Sequence, residues 1–245
     1  MNAKIYMNVP FSEKDSAKSL GALWDAGVKK WYFEGPVKEI SKFGKWLSGG
    51  REQTLIVYEN FCIIEARRIC FKCKNQTRII GFGIREHSIL EDNQDGSYSI
   101  GDPDDLPELE DEMYLAWADD ESKIPPLLLS YLTSRYSVRT GYSSVVGKSF
   151  ANHCDHCGII QGNHYLFVED SPLSTSTPVE KELVERMSQL KIYNVYTDVA
   201  LALNWDISYC SNDWAYIQYT GTPFEDLTLP GAEDMFTSYM EMFSL

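Results

Sequence analysis

Four cysteines arriving as two short-spaced pairs constrain this chain more than any other feature. They read Cys70-Phe-Lys-Cys73 and Cys154-Asp-His-Cys157, the second followed directly by Gly158. Such pairs supply the thiolates that tetrahedral Zn²⁺ requires, and closed Cys₄ sites build folds and do not catalyse reactions. The flanks fit a hairpin with a metal turn at its tip: Arg67-Arg68-Ile69 enters the first knuckle, and Thr77-Arg78-Ile79-Ile80 leaves it. Asn163 to Val168 is expected to leave the second knuckle as another apolar strand. Gly158 supplies unhindered backbone where amides must turn toward a sulfur.

Ordinary zinc ribbons place the pairs roughly 15–20 residues apart, whereas 80 residues lie between Cys73 and Cys154. One structural Zn²⁺ bound by Cys70, Cys73, Cys154 and Cys157 therefore requires an intervening segment that loops out and returns. A redox role would call for a thioredoxin-like βαβ setting, which neither pair has. Disulfides do not suit a chain that runs from Met1-Asn-Ala-Lys-Ile straight into structure with no signal peptide. Cys62 and Cys210 are left over, and single apolar-flanked cysteines behave as small buried hydrophobes. His153, His156 and His164 crowd the second knuckle and are expected around the site or at the surface, since four thiolates suffice.

At 245 residues the chain can form one sizeable domain or two small ones, and its 44% hydrophobic content supplies a packed core. No apolar run approaches the roughly 18–20 residues of a membrane span, so no membrane contact is expected and a soluble, cytoplasmic protein is. The net charge of −14 argues against nucleic-acid or anionic-membrane binding by the whole surface. That charge is uneven. Residues 1–50 hold eight Lys against five Asp or Glu, while the remainder holds 14 Lys or Arg against 31 Asp or Glu. Between Arg85 and Lys123 there are 14 acidic residues and no basic one, and no Lys or Arg follows Lys191.

The basic head, residues 1–50, reads as strand, helix, strand, helix. Lys4 to Asn8 is the first strand. Ser12 is expected to cap a helix whose buried stripe is Ala17, Leu20, Gly21 and Trp24. Lys30 to Phe33 is a short strand, and Val37, Ile40, Phe43 and Trp46-Leu47 mark a second helix that Gly49-Gly50 closes. Here Val9-Pro10, Glu13-Lys14-Asp15, Ala17-Lys18, Leu20-Gly21-Ala22, Trp24-Asp25 and Lys30-Trp31-Tyr32 form a specific pattern. It resembles a small domain of unknown function that occurs at the ends of TraC-type plasmid primases and in standalone bacterial and mobile-element proteins. The resemblance covers residues 4 to about 34 and implies an accessory module of bacterial or mobile-element origin, not priming activity, because no primase core follows.

Residues 51–170 read as a zinc-ribbon-like body. Its strands are Thr54–Tyr58, Cys62–Ile69 and Thr77–Ile84, its acidic residues 91–122 form a loop-rich insertion, and Leu127–Leu132 is a short helix. Residues 171–245 form a third segment packed on that body. A Ser/Thr/Pro linker leads to a helix from the capping box Thr177-Pro-Val-Glu180 to about Lys191. Val195–Asn204 and Asp213–Tyr219 are strand-like, with helix as the alternative for the Ala/Leu-rich first of them, and Glu233–Phe243 is an amphipathic helix. The expected class is α+β: a small N-terminal α/β module, then a mainly antiparallel β body with a Cys₄ site and peripheral helices.

No nucleophile elbow, phosphate loop or dinucleotide fingerprint is present, so no enzyme is expected. Two binding roles follow. In the first, the acidic body, through Asp104, Asp105, Glu108, Glu110, Asp111 and Glu112, docks a basic protein partner such as a toxin or defence protein, as an immunity or inhibitor protein would. In the second, the chain is a nucleic-acid-associated accessory protein of a plasmid or phage replication or transfer system. Lys29, Lys30 and Trp31 are then the candidate contacts, although aromatics in so small a module also serve as its core.

Overall fold

Ala3, Ile5 and Met7 are buried in alternation with more exposed residues, the period-two pattern of a strand with one covered face, along β1 (Asn2–Met7). The structure is a computed structural model and describes residues 2–48, 53–58, 60–84, 87–101, 114–167, 173, 190–196, 199–204 and 225–227. The helix Thr177–Lys191, the strand Asp213–Tyr219 and the helix Glu233–Phe243 expected from sequence fall outside these residues, save that a strand already begins at Lys191.

β1 pairs antiparallel with β3 (Lys30–Pro36), which pairs in turn with the short β2 (Leu23–Asp25). Between β1 and β2, Pro10 opens a 3₁₀ turn, Phe11–Glu13, and α1 (Lys14–Ser19) follows with Glu13 at its N-cap, so Ser12 does not cap the helix. Nor does α1 reach Trp24. Gly21, at φ 100°, ends it in a Schellman motif: the Ala22 amide reaches back to the Ala17 carbonyl and the Gly21 amide to that of Lys18, both at 3.0 Å. Only Ala17 of the expected stripe is buried in α1, and Trp24 lies on β2. The second helix also differs from expectation. Val37, Ile40, Phe43 and Trp46 recur every three residues, the period of a 3₁₀ helix, and Val37–Phe43 is one before it relaxes into α2 (Gly44–Leu47).

The sheet does not end with the head. β4 (Gln53–Val57), β7 (His87–Asp92), β8 (Tyr98–Gly101) and β13 (Val199–Asn204) extend it to seven strands in the order β2-β3-β1-β13-β4-β7-β8. The β1–β13 pairing is parallel, with Ile5 opposite Ala200, and the others are antiparallel. The change near residue 50 is thus one of composition, and residues 2–36 share a sheet with strands from the body and from the third segment. The Val195–Asn204 stretch is divided between the end of β12 (Lys191–Tyr196) and β13, so its second half is strand and not helix.

A second sheet runs β14-β12-β5-β6-β9, built from β5 (Asn60–Ile69), β6 (Gln76–Ile84), β9 (Tyr114–Ala116), β12 and β14 (Glu225–Leu227). Alternation divides β4 and β13 of the first sheet between two cores. On β4, Leu55 and Val57 enter the core facing the second sheet, and Ile56 enters the one under α2. The fold is therefore α+β with mainly antiparallel strands.

Residues 91–101 and 114–122 are not an excursion, and residues 102–113 lie outside the described residues. The described stretches complete β7, supply β8 and β9, and place fully buried Trp117 at the centre of the larger core. Its ring stacks on Phe82, Phe150 and Phe167 at 5.1, 5.4 and 6.2 Å, and its indole N–H donates to the Phe150 carbonyl at 3.0 Å. From there α3 (Pro126–Arg135), which has Pro at its first position, leads to the hairpin β10 (Val138–Ser143) and β11 (Gly147–Asn152). After the second knuckle comes α4 (Asn163–Phe167), a helix where a strand was expected. Helical turning lets the neighbours Leu166 and Phe167 both enter the core, which alternation forbids.

Candidate metal centre

The β5–β6 hairpin carries the first knuckle at its tip, and β11 delivers the second. All four sulfurs, of Cys70, Cys73, Cys154 and Cys157, lie within 4.8 Å of one another. Cys70 Sγ is 3.8 Å from Cys157 Sγ, and Cys73 Sγ is 3.6 Å from Cys154 Sγ. A regular tetrahedron with metal–sulfur bonds of roughly 2.3 Å has edges of roughly 3.8 Å. Disulfides would need about 2.05 Å. The sulfurs thus stand where one ion could hold them.

The two knuckles repeat one backbone plan. Amides of Cys70 and Cys154 donate to the carbonyls of Asn75 and Ile159, each at 2.9 Å, and those of Lys74 and Gly158 return to Cys70 and Cys154, each at 3.0 Å. The His156 amide points at Cys154 Sγ (3.4 Å), and the buried Gln161 side chain at Cys70 Sγ (3.5 Å). No histidine joins the sulfurs: His153 is buried against the Ala151 carbonyl, His156 Nε2 meets the Gln76 carbonyl, and His164 stacks edge-on against Tyr165.

Side chains fasten the second knuckle to β6. Asn152 Oδ1 accepts from the Ile80 amide and its Nδ2 donates to the Ile80 carbonyl, both at 2.9 Å, so one buried amide replaces a missing ladder partner. Asp155 accepts from the Arg78 amide (3.0 Å) and the Ser137 hydroxyl (2.7 Å), while its own amide donates to Thr77 Oγ1 (2.9 Å).

Electrostatics favour a cation among these sulfurs. Burial raises the Cys70 thiol, but the Cys73 and Lys72 amides and the neighbouring thiols outweigh it and bring it down to about 6. At Cys73 the Asn75 amide acts to lower the thiol, yet burial and three neighbouring sulfurs push it up to about 11. Thiols this close resist joint ionisation, and a bound cation removes that conflict.

The hairpin that carries the first knuckle is also basic. Residues 67–78 hold Arg67, Arg68, Lys72, Lys74 and Arg78 and no acidic residue, in a chain of net charge −14. Ile69 and Phe71 are 57% and 56% exposed among them. Arg67 and Arg78 are opposed in register and, with Gln76, Ser137, Asp155 and His156, line a cavity of about 470 Å³. Sequence reading placed these arginines on strands without seeing them as a pair. Their register across the knuckle was the available signal.

Lys29, Lys30 and Trp31 do not form one patch. Lys29 sits in a turn at φ 56°. Lys30 is held down by burial, with Asp120 opposing, and its ammonium donates to the Ser122 carbonyl. Trp31 leaves the opposite face of β3 and packs edge-to-face on half-exposed Trp24, centroids 5.5 Å apart. The acidic candidates Asp104, Asp105, Glu108, Glu110, Asp111 and Glu112 lie outside the described residues. Among the described residues, no helix is long and apolar enough to cross a membrane.

Comparison with known proteins places the N-terminal segment. The family described as a domain of unknown function (DUF5710) matches residues 4–48, beyond residue 34 where the motif residues end. A DNA primase TraC of Escherichia coli is 50% identical over 44 residues, covering 18% of this chain and 3% of that protein. A second Escherichia coli DNA primase TraC is 45% identical over 47 residues, 19% of this chain and 4% of the relative. The chain thus spans only a few per cent of the length of the curated relatives it matches. No solved structure matches. Residues 4–48 are accordingly similar to a small domain that TraC primases also carry, and the body with the four cysteines lies outside that match.

Proposed function

We propose that this chain is a non-enzymatic, nucleic-acid-associated accessory protein of a plasmid or phage replication or transfer system, its body stapled by one structural Zn²⁺ on Cys70, Cys73, Cys154 and Cys157. The observation that carries the reading is the basic metal hairpin, residues 67–78, where five cations and exposed Phe71 are gathered in a strongly acidic chain. Charge of that sign kept together against the average is the footprint of a polyanion, and an exposed ring beside it offers a stacking platform for bases. The named role of the relatives, DNA primase, points the same way. Four thiolates in a tetrahedron suit Zn²⁺, and the reduced thiols it needs suit the cytoplasm.

The test is fluorescence anisotropy with labelled single-stranded and duplex oligonucleotides, on zinc-loaded protein, between about 50 and 200 mM salt. Binding that weakens as salt rises and is lost when a chelator removes the metal is expected. No binding at the low-salt end overturns the reading.

A second reading is favoured by the 14 acidic residues between Arg85 and Lys123. Such a tract repels itself, and a basic protein partner of the immunity or inhibitor type would relieve it. Substituting Asp104, Asp105, Glu108, Glu110, Asp111 and Glu112 by Asn or Gln would then abolish capture of a basic partner and leave oligonucleotide binding intact.

A further inference from the structure

Arg67 on β5 and Arg78 on β6 are direct cross-strand partners, so both side chains leave the same face of the hairpin. Directly opposed like charges destabilise a strand pair. One carboxylate, Asp155, answers them, and its oxygens are already engaged: Oδ2 accepts from the amide of Arg78 and from its Nε (3.4 Å), and Oδ1 from Ser137. Arg67 Nη1 reaches the neutral Gln76 Oε1 at 3.3 Å, and among the described residues no carboxylate pairs with it. The Arg78 guanidinium is steadied over the Tyr136 ring, 5.6 Å from its centroid. Two guanidiniums thus face one cavity with a single carboxylate between them, the arrangement an anion would complete.

We propose that this cavity is a phosphate subsite, in which Arg67 and Arg78 hold a phosphodiester of a bound nucleic-acid strand. Arginine presents a planar fork that matches two phosphate oxygens at once. A strand, and not a lone phosphate, fits the surroundings. Ile69 shares the face of Arg67 and is exposed, and the exposed Phe71, Lys72 and Lys74 follow it in and just past the knuckle turn. Further phosphates and one base would meet charge and ring there in succession. The inference rests on the nucleic-acid reading above and adds the site at which the strand is gripped.

The experiment compares wild type, Arg67→Gln and Arg67→Lys as full-length, zinc-loaded proteins, with thermal unfolding and metal content checked for each. Arg67 is exposed, so neither variant disturbs the core. Binding of a labelled oligothymidine of about 16 nucleotides is followed against salt. Arg67→Gln is expected to weaken binding several-fold and to reduce the slope of log K against log salt by about 0.7, the contribution of one phosphate contact on a single strand. Arg67→Lys should keep the slope and lose part of the affinity. In parallel, inorganic phosphate is titrated and followed by ³¹P resonance. A strand affinity and slope unchanged in Arg67→Gln would overturn the subsite while leaving the nucleic-acid reading standing. Loss of inorganic-phosphate binding alone, with strand binding unchanged, would reassign the cavity to a free phosphate and overturn the strand. A wild type that binds no strand at low salt would overturn both.

Discussion

Lys74 and Gly158 occupy equivalent places in the two knuckles, each one residue past the second cysteine of its pair, with φ of 63° and 67°. The left-handed conformation costs a non-glycine residue roughly 1–2 kcal/mol, and glycine avoids it. A hydrogen-bonding plan common to both knuckles demands this turn, so only one of the two carries the residue that suits it.

Lys74→Gly should therefore stabilise the metal-loaded protein by roughly 0.5–1 kcal/mol, after the extra freedom glycine gives the unfolded chain is allowed for. Gly158→Ala should cost about 1–2 kcal/mol, since its Cβ meets Arg139 Nη2 at 3.3 Å as well as the strained φ. Chemical denaturation of both variants checks the opposite signs.

Removing the metal, or any one of Cys70, Cys73, Cys154 and Cys157, should release both knuckles together. In Cys70→Ser, alkylation followed by mass spectrometry is expected to find Cys154, buried in the intact protein, reactive toward the reagent. Cys62→Ser, far from the sulfur cluster on β5, should keep about one zinc per chain by elemental analysis. Protection of Cys154 in the Cys70 variant would count against a shared ion.

Trp117→Ala should destabilise the protein by about 3–5 kcal/mol, because it empties the centre of the aromatic stack and leaves the Phe150 carbonyl without its donor. A urea midpoint that hardly moves would mean that Trp117 lies outside the core after all.

Asn152→Ala strips the Ile80 amide and carbonyl of their partner in a buried setting, and a loss of at least about 2 kcal/mol is expected. Zinc affinity should fall with it, since Asn152 helps hold the second knuckle against β6. An affinity unchanged in a folded variant would separate the two effects.

Acid should loosen the head. The Glu13 carboxylate is held below its ordinary range by the Lys45 ammonium at 2.7 Å and the Trp46 indole at 2.9 Å, and Asp25 by the Tyr6 hydroxyl and the Val28 and Gly27 amides. With folded values below unfolded ones, this stability is complete above the ordinary carboxylate range and is lost as the pH falls below it. Thermal unfolding across that window should show Glu13→Gln less stable than wild type at the upper end and converging with it at the lower.

Sequence carried the cysteine cluster because four cysteines in two fixed spacings leave few geometries open, and the strands beside the first knuckle because apolar, isoleucine-rich runs flank it on both sides. Other parts depended on partners far along the chain. Trp117 sits among acidic residues, and nothing local reveals the rings of Phe82, Phe150 and Phe167 that surround it. Likewise α4 reads as an apolar strand until two adjacent side chains must enter one core. The 3₁₀ helix was legible in the three-residue repeat of Val37, Ile40 and Phe43, but that spacing also satisfies an α-helical stripe. As for Arg67 and Arg78, each is an ordinary strand residue alone, and only the register makes them a pair.

The pairing of Ile5 with Ala200 has a consequence for how the protein is made. At about 5–20 residues per second, roughly 10–40 s separate the emergence of β1 from that of β13 on the ribosome. During that interval β1 presents a bare backbone edge while β3 already covers its other side. The head therefore leaves the exit tunnel early but matures late. Nascent chains stalled before residue 199 should be caught by chaperones or by one another through that edge, until β13 emerges to cover it.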